Sequence, residues 1–256
     1  MTGVQHAEAV MGTVVSIDVR TPGSAAGAQR AIDDVVTWLH WVDATFSTYR
    51  PESEISRLDR HELAADECHP DVREILALCD DLRATTAGYF DAWASGHLDP
   101  SGVVKGWSIE KASDLLAAAG WPDHAIDGGG DVRLRGGTGT EQPWQVALRH
   151  PLRLDAFSAV LGLDHGAVAT SGTYERGFHI IDPLRHRPVT TVAAVTVIGP
   201  ELTMTDAYAT AALAMGLDAP EWLATLADHE ALMIGADGHG WATPGWARYR
   251  LDRACS

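Results

Sequence analysis

The chain has 256 residues and carries 19 lysine and arginine against 35 aspartate and glutamate side chains, a formal net charge of −16. Its 46% apolar and 21% charged composition is that of a soluble globular protein, which excludes a disordered or collagen-like chain and leaves room for one large domain or two small lobes. The acidic balance argues against duplex nucleic acid or an anionic membrane as the main partner, and no apolar run approaches the roughly eighteen residues that span a bilayer.

In chain order, the opening MTGVQHAEAV lacks the basic and apolar regions of a secretory signal, so the expectation is a cytoplasmic protein. Val10 to Arg20 alternates and is β-branched, which predicts a strand. From Ala28 to Phe46 apolar residues recur at helical spacing (Ala31, Val35, Leu39, Val42), and a loop at 46–51 precedes a short helix from Glu52 to Arg60. Asp71 to Ala87 is a second amphipathic helix, with Gly88 as its C-terminal cap. The chain is then turn-rich to Gly106, and a helix is predicted from Trp107 to Ala119. Strands are expected near 124–127, 131–135, 143–149, 156–162 and 191–198, helices over 205–215 and 220–228, and closing strands at 232–235 and 240–243. Helices, then strands, then helices predict an α+β fold in a single domain spanning residues 1–256. The three cysteines, Cys68, Cys79 and Cys255, are too scattered for a disulfide framework or a metal cage.

Four segments carry candidate chemistry. Asp127-Gly-Gly-Gly-Asp131 lies between two strands and reads as a tight hairpin, or as a cradle whose backbone N–H groups approach a ligand. Asp99 to Gly106 runs into a helix and holds Lys105, one of only two lysines; it is an anion site or a capped helix with a surface lysine. Asp206 and Thr210, four apart on a helix, put two hard oxygens on one face, suited to Mg²⁺ or to ordinary helix capping. Ala169 to Arg176 is read as a turn of small hydroxyl residues before a strand carrying His179, a general base or a structural histidine.

Together and in this order these segments resemble the ApbE-type FAD:protein FMN transferase family. The likeness rests on MGT at 11–13, FSTYRPESEISRL at 46–58, GYFD at 88–91, DPSGVVKGWSIEKA at 99–112, DGGGDVRLRGG at 127–137, ATSGTYERGFHIIDP at 169–183 and VTVIGPELTMTDAYATAALAMG at 195–216. The resemblance implies a two-lobed α+β domain with FAD in the cleft between lobes, lined by Met11, Tyr49, Tyr89, Phe90, Asp91, Asp99, Lys105 and Ile180. It implies Mg²⁺ on Asp206, Thr210 and the Gly102 carbonyl. The implied reaction moves FMN from FAD to a threonine or serine hydroxyl of an acceptor flavoprotein and releases AMP, with Lys105 and His179 as catalytic candidates. A Mg²⁺-dependent FAD pyrophosphatase and a flavin-binding or delivery protein are the alternatives. The chain departs from the family pattern at Glu110, Asp127, Thr173 and Arg185-His186.

Overall fold

A computed structural model describes residues 2–21, 23–153, 155–173 and 181–251 of the chain. The chain opens with a hairpin. Strand β1 (Thr2–Val10) pairs with β2 (Thr13–Thr21), and Met11 and Gly12 form a two-residue turn with φ of 53° and 71°. Both central residues positive is the turn whose twist matches paired strands, and a methionine there is uncommon. The single strand expected from Val10 to Arg20 is therefore split, and β1 is an addition to the predicted elements.

Helices α1 (Ala25–Phe46), α2 (Glu54–Asp59) and α3 (Pro70–Thr85) follow, close to the predicted spans. Helix α4 runs over Ser101–Ala118 and so begins six residues before the expected Trp107. Asp99 Oδ1 accepts the Ser101 N–H at 3.0 Å, and Pro100 stands at the N-cap where its missing N–H costs nothing. Gly102, Lys105 and Gly106 are therefore helical and do not lie in a turn.

Next come β3 (His124–Gly128), β4 (Asp131–Arg135), β5 (Trp144–Arg149), β6 (Phe157–Leu163), β7 (Gly166–Gly172) and a short pair, β8 (Ile181–Asp182) and β9 (Arg187–Pro188). Strand β10 (Val192–Gly199) leads to α5 (Leu202–Met215), then α6 (Ala219–Leu223), β11 (Glu230–Gly235) and β12 (Gly240–Ala242). Ala169 to Gly172 thus belongs to a strand where a turn was expected, and the helix predicted over 220–228 is one short turn at Ala219–Leu223.

Eight strands form one sheet in the order β1-β2-β3-β4-β7-β10-β11-β12, and every pairing in it is antiparallel. Helices α1, α4 and α5 cover one face, burying Val15, Ile17, Ile126, Val195 and Val197 against Ile32, Ile109, Leu116 and Leu213. The β5–β6 ribbon covers part of the other, packing Trp144, Val146 and Leu161 on Val132, Leu134, Val168 and Ile198. Strand β10 is buried on both faces, which its unbroken VAAVTVIG run requires. A second helical core gathers Phe46, Ile55, Ile75, Leu82, Phe90, Val103 and Trp107. Helix α4 serves both helical cores, its first half in one and its second half in the other.

Two contacts draw α4 and α5 together. A Cβ on Gly106 would stand 2.6 Å from the Leu202 carbonyl oxygen and 2.7 Å from Asp206 Cβ, so only glycine permits this approach. Alanines at 207, 209, 211, 212 and 214 keep α5 thin enough to lie buried between α4 and the sheet.

Candidate active site

The close approach of α4 and α5 brings four chain segments to one point. Asp206, 3% exposed on α5, accepts the Gly106 N–H of α4 on Oδ2 at 2.9 Å. Asp131, the first residue of β4, is fully buried; its Oδ1 accepts the Thr170 N–H of β7 at 2.9 Å and its Oδ2 lies 2.5 Å from Lys105 Nζ. The Asp131 and Asp206 carboxyls lie close enough for the charge of one to act on the other. One turn further along α5, Thr210 Oγ1 is 3.1 Å from Ser171 Oγ of β7.

The electrostatics follow from burial. Desolvation raises the Asp206 carboxyl well above the ordinary carboxylate range, and the neighbouring Asp131 adds to the rise; Lys105 and the Gly106 N–H oppose it. Among the described residues two buried carboxyls face one ammonium, and ionising both leaves negative charge in excess there. A hard divalent cation would offset that charge, and Asp206 and Thr210 could offer it carboxylate and hydroxyl oxygens. Among the described residues no three His, Cys, Asp or Glu side chains converge on a point. Mg²⁺ does not require that, since it binds through one or two carboxylates and keeps much of its water.

The two hairpin tips border this cluster. The turn at Gly129 and Gly130, with φ of 68° and 96°, joins β3 to β4, so the run at 127–131 is a hairpin; Asp127 Oδ1 accepts the Gly130 N–H at 2.8 Å. A Cβ on Gly129 would meet Thr13 Oγ1 at 2.6 Å, which sets the tip beside that of β1–β2. Half-buried Met11 lies with its Sδ 3.7 Å from Ser108 Oγ, and that hydroxyl bonds the Lys105 carbonyl at 2.8 Å. A Cβ on Gly102 would fall 3.1 Å from Thr210 Cγ2 and 3.2 Å from the ring of buried Phe90, so Gly102, Thr210 and Phe90 also meet.

Lys105, Gly102, Asp206, Thr210, Met11 and Phe90 are thus assembled. Asp99 supports the start of α4. Asp91 accepts the Trp93 N–H at 2.9 Å and faces Arg83, while Tyr89 is half-buried near Arg185. Tyr49 stands 89% exposed on a loop pinned by Ser53 and Ser56, whose hydroxyls both donate to the Ser47 carbonyl. His179 and Ile180 lie outside the described residues. Asp131 and Ser171 were not foreseen as site members. The signal for Asp131 was its place in DVRLR, where alternation sends Asp131, Arg133 and Arg135 to one face and Val132 and Leu134 to the other.

That charged face continues the site as a ladder against α4. Glu110 bonds Arg133 Nε at 2.8 Å and Arg135 Nη2 at 3.1 Å, and it accepts the Leu202 N–H at 2.7 Å; Asp114 pairs with Arg135 at 2.5 Å. Glu110, which departs from the family pattern, therefore joins α4, β4 and the start of α5.

The fold of this antiparallel sheet with helices on one face is shared with solved flavin transferases. The ApbE protein of Thermotoga maritima superposes with a TM-score of 0.88 at 20% identity, covering 98% of this chain and 100% of that one. Flavin transferase ApbE from Vibrio cholerae gives 0.83 at 22% identity, over 97% and 99%. The chain belongs to the ApbE family, whose model matches residues 11–96 and 93–233. Among named relatives, the FAD:protein FMN transferase of Rhodobacter capsulatus is 36% identical over 156 residues, 57% of this chain and 30% of that protein. That of Vibrio cholerae serotype O1 is 33% identical over 131 residues, 47% of this chain and 39% of that protein. These matches span less than half of the relatives' length; that of Haemophilus influenzae is covered over 79% of its length, at 23% identity.

Proposed function

We infer that this protein is a Mg²⁺-dependent FAD:protein FMN transferase. The observation that carries the reading is the group of buried Asp131 and Asp206 with half-buried Lys105 and Thr210, which offers hard oxygens and, among the described residues, sets two carboxyls against one ammonium. Relatives bearing this name support the chemistry.

In this reading FAD lies in a cleft between two lobes, along Met11, Tyr49, Tyr89, Phe90, Asp91, Asp99 and Ile180, with the diphosphate at Lys105. Asp206 and Thr210, with the Gly102 carbonyl, would hold Mg²⁺. When bound, the ion offsets diphosphate charge and stabilises the charge that develops on departing AMP. Lys105 binds the same diphosphate and holds it in line for attack. The acceptor hydroxyl oxygen forms the new bond to the FMN phosphorus, the phosphoanhydride bond to AMP breaks, and the hydroxyl proton passes to a base, for which His179 is the candidate. The acceptor is a flavoprotein with an accessible threonine or serine. Among the described residues no helix is long and apolar enough to cross a membrane.

The test is incubation with FAD, Mg²⁺ and a candidate acceptor, reading acceptor mass and AMP together. The acceptor gains one FMN mass with the wild-type protein, and the gain falls at least about 10²-fold with Asp206→Ala. AMP release with FMN left free would replace this reading with FAD hydrolysis. Bound FAD without AMP would replace it with flavin binding alone.

A further inference from the structure

Asp131 has no part in the steps above, yet it is the most completely enclosed charge of the cluster. It is 0% exposed, and both of its oxygens are engaged, Oδ1 by the Thr170 N–H and Oδ2 by Lys105 Nζ. A buried carboxylate is costly unless it is paired and hydrogen-bonded, and here the pairing goes to one of only two lysines in the chain. Lysine is a flexible point charge on a four-carbon stem, so left to itself it would sample many rotamers at the mouth of the site. Asp131 is itself immobile. It begins β4 directly after the Gly129-Gly130 turn, pairs across to Gly128, and is held from β7 through Thr170, the residue next to the Ser171 that touches Thr210.

From this juxtaposition we propose that Asp131 is a positioning residue, a clamp that fixes the Lys105 ammonium beside Asp206 before substrate arrives. It touches neither the reacting atoms nor the flavin and acts through Lys105. Preorganised charge stabilises a transition state without reorganisation during the reaction, so releasing the clamp lowers the rate more than the affinity. The kinetic part rests on the flavin-transfer reading; the clamp itself is measured without it.

Because the chain has two lysines, reductive methylation of the folded protein with formaldehyde and cyanoborohydride, followed by peptide mass analysis, reports Lys105 against Lys111 within one molecule. The wild type protects Lys105 relative to Lys111, and Asp131→Asn, which keeps an acceptor for the Thr170 N–H, raises the Lys105 rate at least about fivefold relative to Lys111. In the transfer assay Asp131→Asn lowers kcat about 10²-fold while the FAD Kd, read from flavin fluorescence, moves less than about threefold. The double variant with Lys105→Met is no slower than Lys105→Met alone, as expected for a residue that acts through the lysine. Unchanged Lys105 methylation in folded Asp131→Asn, or additive losses in the double variant, overturns the proposal. If Asp131→Asn does not fold, equal methylation of Lys105 and Lys111 in the wild type overturns it. Methylation that shifts as stated in a protein that transfers no FMN upholds the clamp and removes the transferase reading.

Discussion

Replacing Gly106 with alanine tests whether the α4–α5 contact builds the site. The new Cβ would sit 2.6 Å from the Leu202 carbonyl oxygen and 2.7 Å from Asp206 Cβ, against an ordinary contact of 3.4 Å or more, so the helices must part by roughly 0.8 Å. Overpacking of this kind costs about 1–3 kcal/mol. Weakening the Gly106 N–H bond to Asp206 adds about 1–2 kcal/mol, while the better helix propensity of alanine returns about 1 kcal/mol. The expected net loss is about 1–4 kcal/mol; at about 2.5 kcal/mol, a chain of this size loses about 5–10 °C in Tm. Thermal unfolding followed by circular dichroism or calorimetry reads this directly. A variant with wild-type or higher Tm would show that helix propensity outweighs the contact and that the helices are not held at this distance by glycine.

Two further predictions concern the elements that support the site. Glu110→Ala leaves Arg133, whose side chain is 3% exposed, without its carboxylate and removes the acceptor of the Leu202 N–H. Breaking such a pair costs about 3–5 kcal/mol, and a loss below about 1 kcal/mol in denaturant unfolding would refute the ladder's role. Buried His124 donates from Nδ1 to the Trp121 carbonyl, so neutral Nε2 accepts from Ser113 Oγ. Burial pushes its pKa down to about 4. The unfolded chain takes up this proton below about pH 6.5 while the folded chain refuses it until about pH 4. Stability is therefore unaffected above pH 6.5 and falls by about 3 kcal/mol as pH drops through that window. His124→Asn lacks this segment of the pH dependence; equal slopes in variant and wild type would discard the assignment.

What the sequence disclosed depended on how one-sided each element is. Helices α1 and α3 bury a single stripe, and β10 is apolar throughout because it is covered on both faces, so periodicity found all three. Strand β1 escaped because it is a sheet edge whose inward residues His6 and Glu8 are polar, meeting His40 of α1. The start of α4 escaped because proline, serine and glycine at 100–102 signal a turn in isolation; here the proline caps the helix and the glycine packs on Thr210 and Phe90. Strand β7 looked like a turn because its small hydroxyl residues are spent on neighbours, Thr170 bonding Thr196 and Ser171 bonding Thr210. At the site, Lys105, Asp206 and Thr210 were visible through their motifs. Asp131 was not, because a charge at an inward strand position acquires meaning only once the facing helix is known.

The Lys105–Asp131–Asp206 cluster also has a kinetic consequence. Its members come from α4, β4 and α5, and the Gly106–Asp206 bond closes a separation of 100 residues. Loop-closure entropy makes such contacts late events in folding, after local helices and hairpins have formed. A chain emerging from denaturant or from the ribosome therefore acquires its helical signal before it acquires a site. Recovered activity would mark completion of the last long-range closure, and truncation anywhere before α5 would remove Asp206 and Thr210 and with them the cluster.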